Sequence, residues 1–215
     1  MTLVRYEAQE DVAVITVDNP PVNALSPGVP GGIITGLNQA NTDSDIVAVV
    51  LVGEGRGFIA GADIRYFSKP WPDDEPKLGD VIRALEQNSK PVVAAIHGHA
   101  LGGGLELAMC CHYRVIVPQA RVGQPEVKLG IPPGAGGTQR LPRLAGAKAA
   151  LDMIVSGDPV TAQQAVSLGI CDRLIETEIV EGALAFAREA GQTSSPHQLA
   201  RDRNVEVEDS DLFQT

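Results

Sequence analysis

The sequence predicts one mixed α/β domain in which helices pack on a sheet covered on both faces. Three observations predict it. Short β-branched runs alternate with segments of helical period through the first half of the chain. The runs are nearly unbroken in apolar character, as strands buried on both sides are. Gly and Pro, 23 and 15 of 215 residues, cluster between these elements instead of spreading evenly. At 215 residues and 44% hydrophobic, the chain can bury one sizeable core, since single cores run to roughly 250 residues before splitting.

Taken in order, the strands are expected at Val12–Val17, 46–52, Val92–Ile96 and 113–117, each closed by Gly, Pro, Asp or Asn. Helical period runs through 32–41, through 78–87 (apolar at Leu78, Val81, Ile82 and Leu85) and through 105–111. After Pro142 the texture becomes Ala-rich and helical at 144–156, at 161–168 with Thr161 as N-cap, and at Ile179–Gly191. From Gln192 the pattern fades. Asp202, Glu206, Glu208, Asp209 and Asp211 outweigh the few apolar residues, Val205, Val207, Leu212 and Phe213. The expected division is therefore a patterned core over 1–191 and an acidic tail, or a linker to a missing segment, over 192–215.

Charge and composition exclude several classes. With 17 basic against 27 acidic side chains the net charge is −10, which a nucleic-acid backbone would repel. No stretch approaches the ~18 apolar residues of a membrane span. The first ten residues lack the basic start and apolar block of a secretory signal. Three cysteines, two of them adjacent as Cys110 and Cys111, form neither a disulfide framework nor a zinc spacing; they read as reduced thiols in the cytoplasm. His97 and His99, separated only by Gly98 and with no Cys or further His at ligand spacing, do not make a metal site.

Chemistry-bearing residues concentrate in three segments: 57–64, 98–108, and 123–126 leading into 130–140. The triple glycine Gly102-Gly103-Gly104 lies between an expected strand and an expected helix near Leu105, where backbone N–H groups can meet an oxyanion. A tight turn for close packing remains the alternative. Glu106 in that helix's first turn and Glu126 after Gly-Gln-Pro could each be an ordinary surface acid. If the segments converge, the two carboxylates could hold one water and trade protons with a substrate carbon. The glycines at 53–57 match neither a dinucleotide fingerprint nor a P-loop.

Ala60-Gly61-Ala62-Asp63-Ile64, Ala100-Leu101-Gly102-Gly103-Gly104-Leu105-Glu106-Leu107-Ala108 and Gly123-Gln124-Pro125-Glu126, with Pro133-Gly134-Ala135-Gly136-Gly137-Thr138-Gln139-Arg140-Leu141, closely resemble the enoyl-CoA hydratase/isomerase (crotonase) superfamily. The resemblance covers about 12–175. It implies a spiral of repeated β-β-α turns, an acyl-CoA thioester substrate and no cofactor beyond the CoA of that substrate. It also implies an oxyanion hole formed by the backbone N–H groups of Ala62 and Gly103, with Glu106 and Glu126 as the catalytic acids. Ala24, Leu25, Ala60, Asp63 and Ile64 would line the CoA site, and Arg56, Arg65 and Lys69 are the candidates for its phosphates.

Because both acids are present, hydration of a trans-2-enoyl-CoA is expected, accompanied by Δ3,Δ2-isomerisation if Glu126 also serves as that proton carrier. Other thioester chemistry of the superfamily (isomerisation alone, decarboxylation, hydrolysis) and a non-catalytic CoA-binding module are the alternatives. The short C-terminal part resembles the connection to a fused 3-hydroxyacyl-CoA dehydrogenase segment; a homo-oligomer is the other expected assembly.

Overall fold

The computed structural model describes residues 2–66, 68–193 and 197–205. Strands β1 (Val4–Gln9) and β2 (Val12–Val17) form an antiparallel hairpin, and helix α1 (Val29–Thr42) returns the chain to β3 (Ala48–Gly53), parallel to β2 with Val12 beside Ala48 and Val17 beside Gly53. Helix α2 (Leu78–Glu86) then leads to β4 (Val92–Ile96), parallel to β3. Strand β5 (His99–Leu101) leaves the main sheet, α3 (Gly103–Ala108) follows, and β6 (Tyr113–Ile116) rejoins parallel to β4. Strand β7 (Arg121–Gly123) pairs with β5 in a second sheet. Helices α4 (Gly137–Ala145) and α5 (Ala147–Ser156), strand β8 (Val160–Thr161), α6 (Ala162–Ser167), β9 (Arg173–Leu174) and α7 (Ile179–Gly191) complete the described elements.

The sheets have the orders β1-β2-β3-β4-β6-β9 and β5-β7-β8. Each turn of the chain adds a strand to the large sheet, then a short extended piece to the small one, then a helix. Parallel bridges between Leu25 and Ala62 and between Ile59 and Ala100 continue the small sheet into the earlier turns. This is the expected spiral of β-β-α units.

Alternation decides the packing. On one face Ala13, Ile15, Val17, Val49, Leu51, Ala94 and Ile96 meet α1, α2 and α3; on the other Val12, Val14, Val50, Val52, Val93 and Ala95 meet Ile179, Ala183, Phe186 and Ala187 of α7. Both faces are thus dry, which is why these strands carry no polar side: every residue of β3 and β4 is buried.

The expected strands fall on β2, β3, β4 and β6. Several details differ. The helix expected at 105–111 begins at Gly103 and ends at Ala108, so Cys110 and Cys111 lie just beyond it, buried. Burial pushes the Cys111 and Cys171 thiols up to about 12, so neither is a thiolate at neutral pH. The single helix expected at 144–156 is two, because Gly146 turns the chain between α4 and α5. Packing also runs past the 191–192 division: Leu199 and Ala200 are buried, and the Tyr113 hydroxyl lies 2.8 Å from His197 Nδ1. From residue 206 the acidic stretch lies outside the described residues. No helix among the described residues is long and apolar enough to cross a membrane.

Candidate active site

The site forms where the spiral's loops leave the C-terminal ends of the parallel strands. Ala62 follows the turn after β3, Gly103 opens α3 after β5, and Glu126 follows β7 on a 3₁₀ turn over Pro125–Leu129. Three successive turns of chain are stacked there, so residues forty apart in sequence become neighbours.

Backbone geometry explains the triple glycine. Gly102 is the N-cap of α3, with φ 52° and ψ −128°, and Gly103 and Gly104 are already in the first turn. A Cβ on Gly104 would fall 2.0 Å from the Ile59 carbonyl oxygen, so only glycine lets α3 pack against the preceding turn. A Cβ on Gly102 would fall 2.9 Å from Glu126 Oε1, which puts that carboxylate directly over the helix start. The glycines permit close packing, and they leave one amide without a backbone acceptor among the described residues.

That amide is Gly103 N–H. A Cβ built on Gly103 would lie 3.3 Å from the Ala62 nitrogen, and one on Gly61 would lie 3.6 Å from the Gly103 nitrogen, so the two amides border one gap. Neither donates a backbone hydrogen bond among the described residues. Two adjacent, unengaged N–H groups from separate elements are the arrangement that stabilises a developing oxyanion. Since α3 has only six residues, the pair of amides and not a long helix dipole supplies this property.

Glu106 is buried, 2% exposed, and its Oε1 accepts from Ala135 N–H and Gly137 N–H, both at 2.7 Å. Burial pushes its carboxyl above the ordinary range, while those amides and the Arg140 charge oppose the rise. Glu126 is half-buried; burial raises it too, and the Glu106 charge raises it further. With its amide nitrogen turned toward Glu126, buried Gln124 donates to Oε2 and Oε1 at 3.0 and 3.1 Å. The two acids therefore sit in different holders, one gripped by backbone amides and the other by a side-chain amide.

Both acids line a cavity of about 780 Å³ together with Ala60, Gly61, Ala62, Ile64, Gly102 and Gly103. Its walls are apolar, including Leu78, Ile82, Leu129 and Ile131, with Arg140, Arg143 and Arg201 as the cations. A mostly apolar cavity with a few convergent polar groups fits a small-molecule site.

The other expected site residues divide. Ala60 and Ile64 line the cavity; Ala24 and Leu25 do not, although Leu25 pairs with Ala62 and its N–H donates to the Gly61 carbonyl, fixing the backbone that presents the Ala62 amide. Asp63 faces away. Its buried carboxylate accepts from Ser26 at 2.8 Å and from Arg65 at 2.7 Å, and the guanidinium holds it well below the usual carboxylate range. Arg65 pairs with Asp63 while its side chain stays 70% exposed. Arg56 and Lys69 are exposed, have no ion pair among the described residues and lie outside the cavity wall.

Sequence reasoning did not assign roles to Gln124, Arg140 or Arg201. For the two arginines the signal was weak because each matters through a partner far along the chain: Arg140 and Arg201 both bind Glu86, at 2.7 Å each. Among the described residues no group of three or more His, Cys, Asp or Glu side chains is placed to hold a metal ion.

The family model for enoyl-CoA hydratase/isomerase matches residues 7–207. The peroxisomal bifunctional enzyme of Danio rerio is 50% identical over 200 residues, covering 92% of this chain and 28% of that one; the human protein of the same name is 50% identical over 177 residues, covering 82% and 24%. The chain thus spans about a quarter of the length of these relatives. A probable enoyl-CoA hydratase of Bacillus subtilis is 41% identical over 207 residues, covering 93% of this chain and 80% of that one. The crystal structure of an enoyl-CoA hydratase from Bacillus anthracis superposes with a TM-score of 0.80 at 31% identity, covering 89% of this chain and 77% of that one. With a family match across most of its length and a site in which every motif converges on one cavity, this chain belongs to the enoyl-CoA hydratase/isomerase family.

Proposed function

We propose that the chain is a 2-enoyl-CoA hydratase module. One observation carries the reading: Glu106 and Glu126 face the same cavity as two amides, of Ala62 and Gly103, that have no backbone acceptor among the described residues. The thioester oxygen would sit between those amides, where negative charge collects as water adds to C3. Glu126, its proton affinity raised by burial, would deliver a proton to C2. Glu106, fixed by Ala135 and Gly137, would orient the water and take its proton. Oxyanion donors contribute on the order of 10²–10³ in rate and positioned proton carriers roughly 10²–10⁴.

Δ3,Δ2-isomerisation is proposed as a companion activity, since it would use the same amides and Glu126. Ala60 and Ile64 would contact the CoA arm, and Arg56, Arg65 and Lys69 remain proposed for its phosphates. The names of the vertebrate relatives include a second function, which supports reading this chain as the hydratase part of a longer protein with a fused 3-hydroxyacyl-CoA dehydrogenase segment. The same names place those proteins in peroxisomes. For this chain we propose a thiol-reducing compartment such as the cytoplasm, supported by three buried free cysteines.

The test is direct. Incubation with crotonyl-CoA should remove the conjugated-enoyl absorbance; no decrease at high protein concentration would end the hydratase reading for this chain.

A further inference from the structure

A buried ionic bridge outside the reacting groups connects three elements to Glu106. Glu86, at the end of α2, has a side chain only 6% exposed and accepts at Oε1 from Arg140 Nε and Nη2, at 2.9 and 2.7 Å. Its Oε2 accepts from Arg201 Nη1 at 2.7 Å, on the 3₁₀ turn Ala200–Asp202. Arg140 uses its remaining nitrogen, Nη1, to donate to the Ala135 carbonyl at 3.1 Å. The N–H of that same residue, Ala135, donates to Glu106 Oε1.

The loop between Pro133 and α4 is therefore gripped from both sides, by a carboxylate on one and a guanidinium on the other. The fit is close: a Cβ on Gly136, which has φ 97°, would fall 1.9 Å from Arg140 Nη1, and one on Gly137 would fall 3.0 Å from Glu106 Oε1. With Arg140 half of a buried pair, its fork has one orientation, because leaving Glu86 would strand a charge away from water.

We propose that Glu86 and Arg140 are positioning residues for the Glu106 carboxylate: Glu86 fixes the Arg140 fork, Arg140 fixes the Ala135 carbonyl, and the Ala135 and Gly137 amides then hold Glu106 where it can orient a water. Arg201 completes the bridge from the segment after α7 and so ties the C-terminal described residues to the site. The kinetic part of this inference rests on the hydratase reading; the structural part does not.

Two measurements on the full chain test it. In Arg140→Gln and Glu86→Gln, hydration kcat should fall about 10–100-fold with KM changed less than about threefold, the split expected when a reacting group is misplaced by an ångström or less. Hydrogen exchange read by NMR should quicken more than about tenfold at Ala135 and Gly137 while the amides of Val50 and Val93 keep their protection. Arg201→Gln should show the same pattern more weakly, and it carries the test if Arg140→Gln does not fold. Arg83→Ala, which breaks an exposed pair with Asp80, is the control and should alter neither readout. A lower melting temperature with kcat and the two loop amides unchanged would make the bridge merely structural and overturn the proposal. Should the unmutated protein fail to hydrate, the functional reading falls, and amide exchange at Ala135 and Gly137 still decides whether the bridge holds the loop.

Discussion

The large sheet and the loops at its strand ends are built on opposite terms. In the sheet, β3 and β4 are buried along their whole length and, apart from Gly53 at the end of β3, consist of Ala, Val, Leu and Ile. In the loop layer the residues that matter are glycines, amides and two acids, and replacing a hydrogen atom by a methyl group brings atoms to within 2–3 Å. The sheet tolerates chemical approximation and stores stability; the loops tolerate little and store geometry. Mutations in the two regions should therefore separate into losses of folding and losses of rate.

The sharpest test of that separation is Glu126→Gln. It keeps the shape of the side chain and the contact with Gln124, so the melting temperature should hold, while hydration should fall by roughly 10²–10⁴. A comparable fall in stability would erase the distinction. On the other side, Leu51→Ala opens a cavity under α1 and should lower unfolding free energy by about 2–5 kcal/mol in a denaturant titration, with kcat of the folded protein unchanged.

Gly102→Ala probes the boundary between the regions. The new methyl would meet Glu126 Oε1 at 2.9 Å and force a strained backbone, so a stability cost of about 1–3 kcal/mol should accompany a kcat loss out of proportion to it. Unaltered kinetics would mean that Glu126 is not held against the helix start.

The smallest expected effect concerns coupling within the loop layer. The Glu106 charge raises Glu126, so in Glu106→Gln the Glu126 carboxyl should titrate at lower pH than in the unmutated protein, while staying above the ordinary range because its burial persists. Carboxyl-labelled NMR titration measures this. An unmoved midpoint would show that the two acids do not share one electrostatic environment.

Much of the sheet is legible in the residues because burial on both faces demands continuous β-branched runs, and β2, β3, β4 and β6 announce themselves that way. Strand β1 does not: with Arg5 and Glu7 at exposed positions on the sheet's edge, it is held by pairing with β2 more than by its own composition. Strands β5, β7, β8 and β9 have two or three residues each and exist only through their partners. Helix α4 is obscured by Gly136-Gly137 at its start and Pro142 inside it. Of the site, the two acids and the amide-bearing glycines stand out because their spacing around Gly and Pro is unusual, whereas Asp63 reads as a ligand residue and proves to be a buried anchor for Arg65 and Ser26.

What the sequence determined by itself is the local chemistry: which segments must be buried, where glycines cluster, and which acids sit among Gly and Pro. Those follow from hydrophobic transfer and steric exclusion, which act over a few residues. The tertiary structure alone decided which of these pieces meet. It set the Ala62 amide beside Gly103, placed Gln124 on Glu126, and joined Glu86 to Arg140 and Arg201 across 54 and 115 residues. Hydrogen bonds and charge pairs act over a few ångströms regardless of chain separation, so their partners are fixed only when the spiral brings its turns into register.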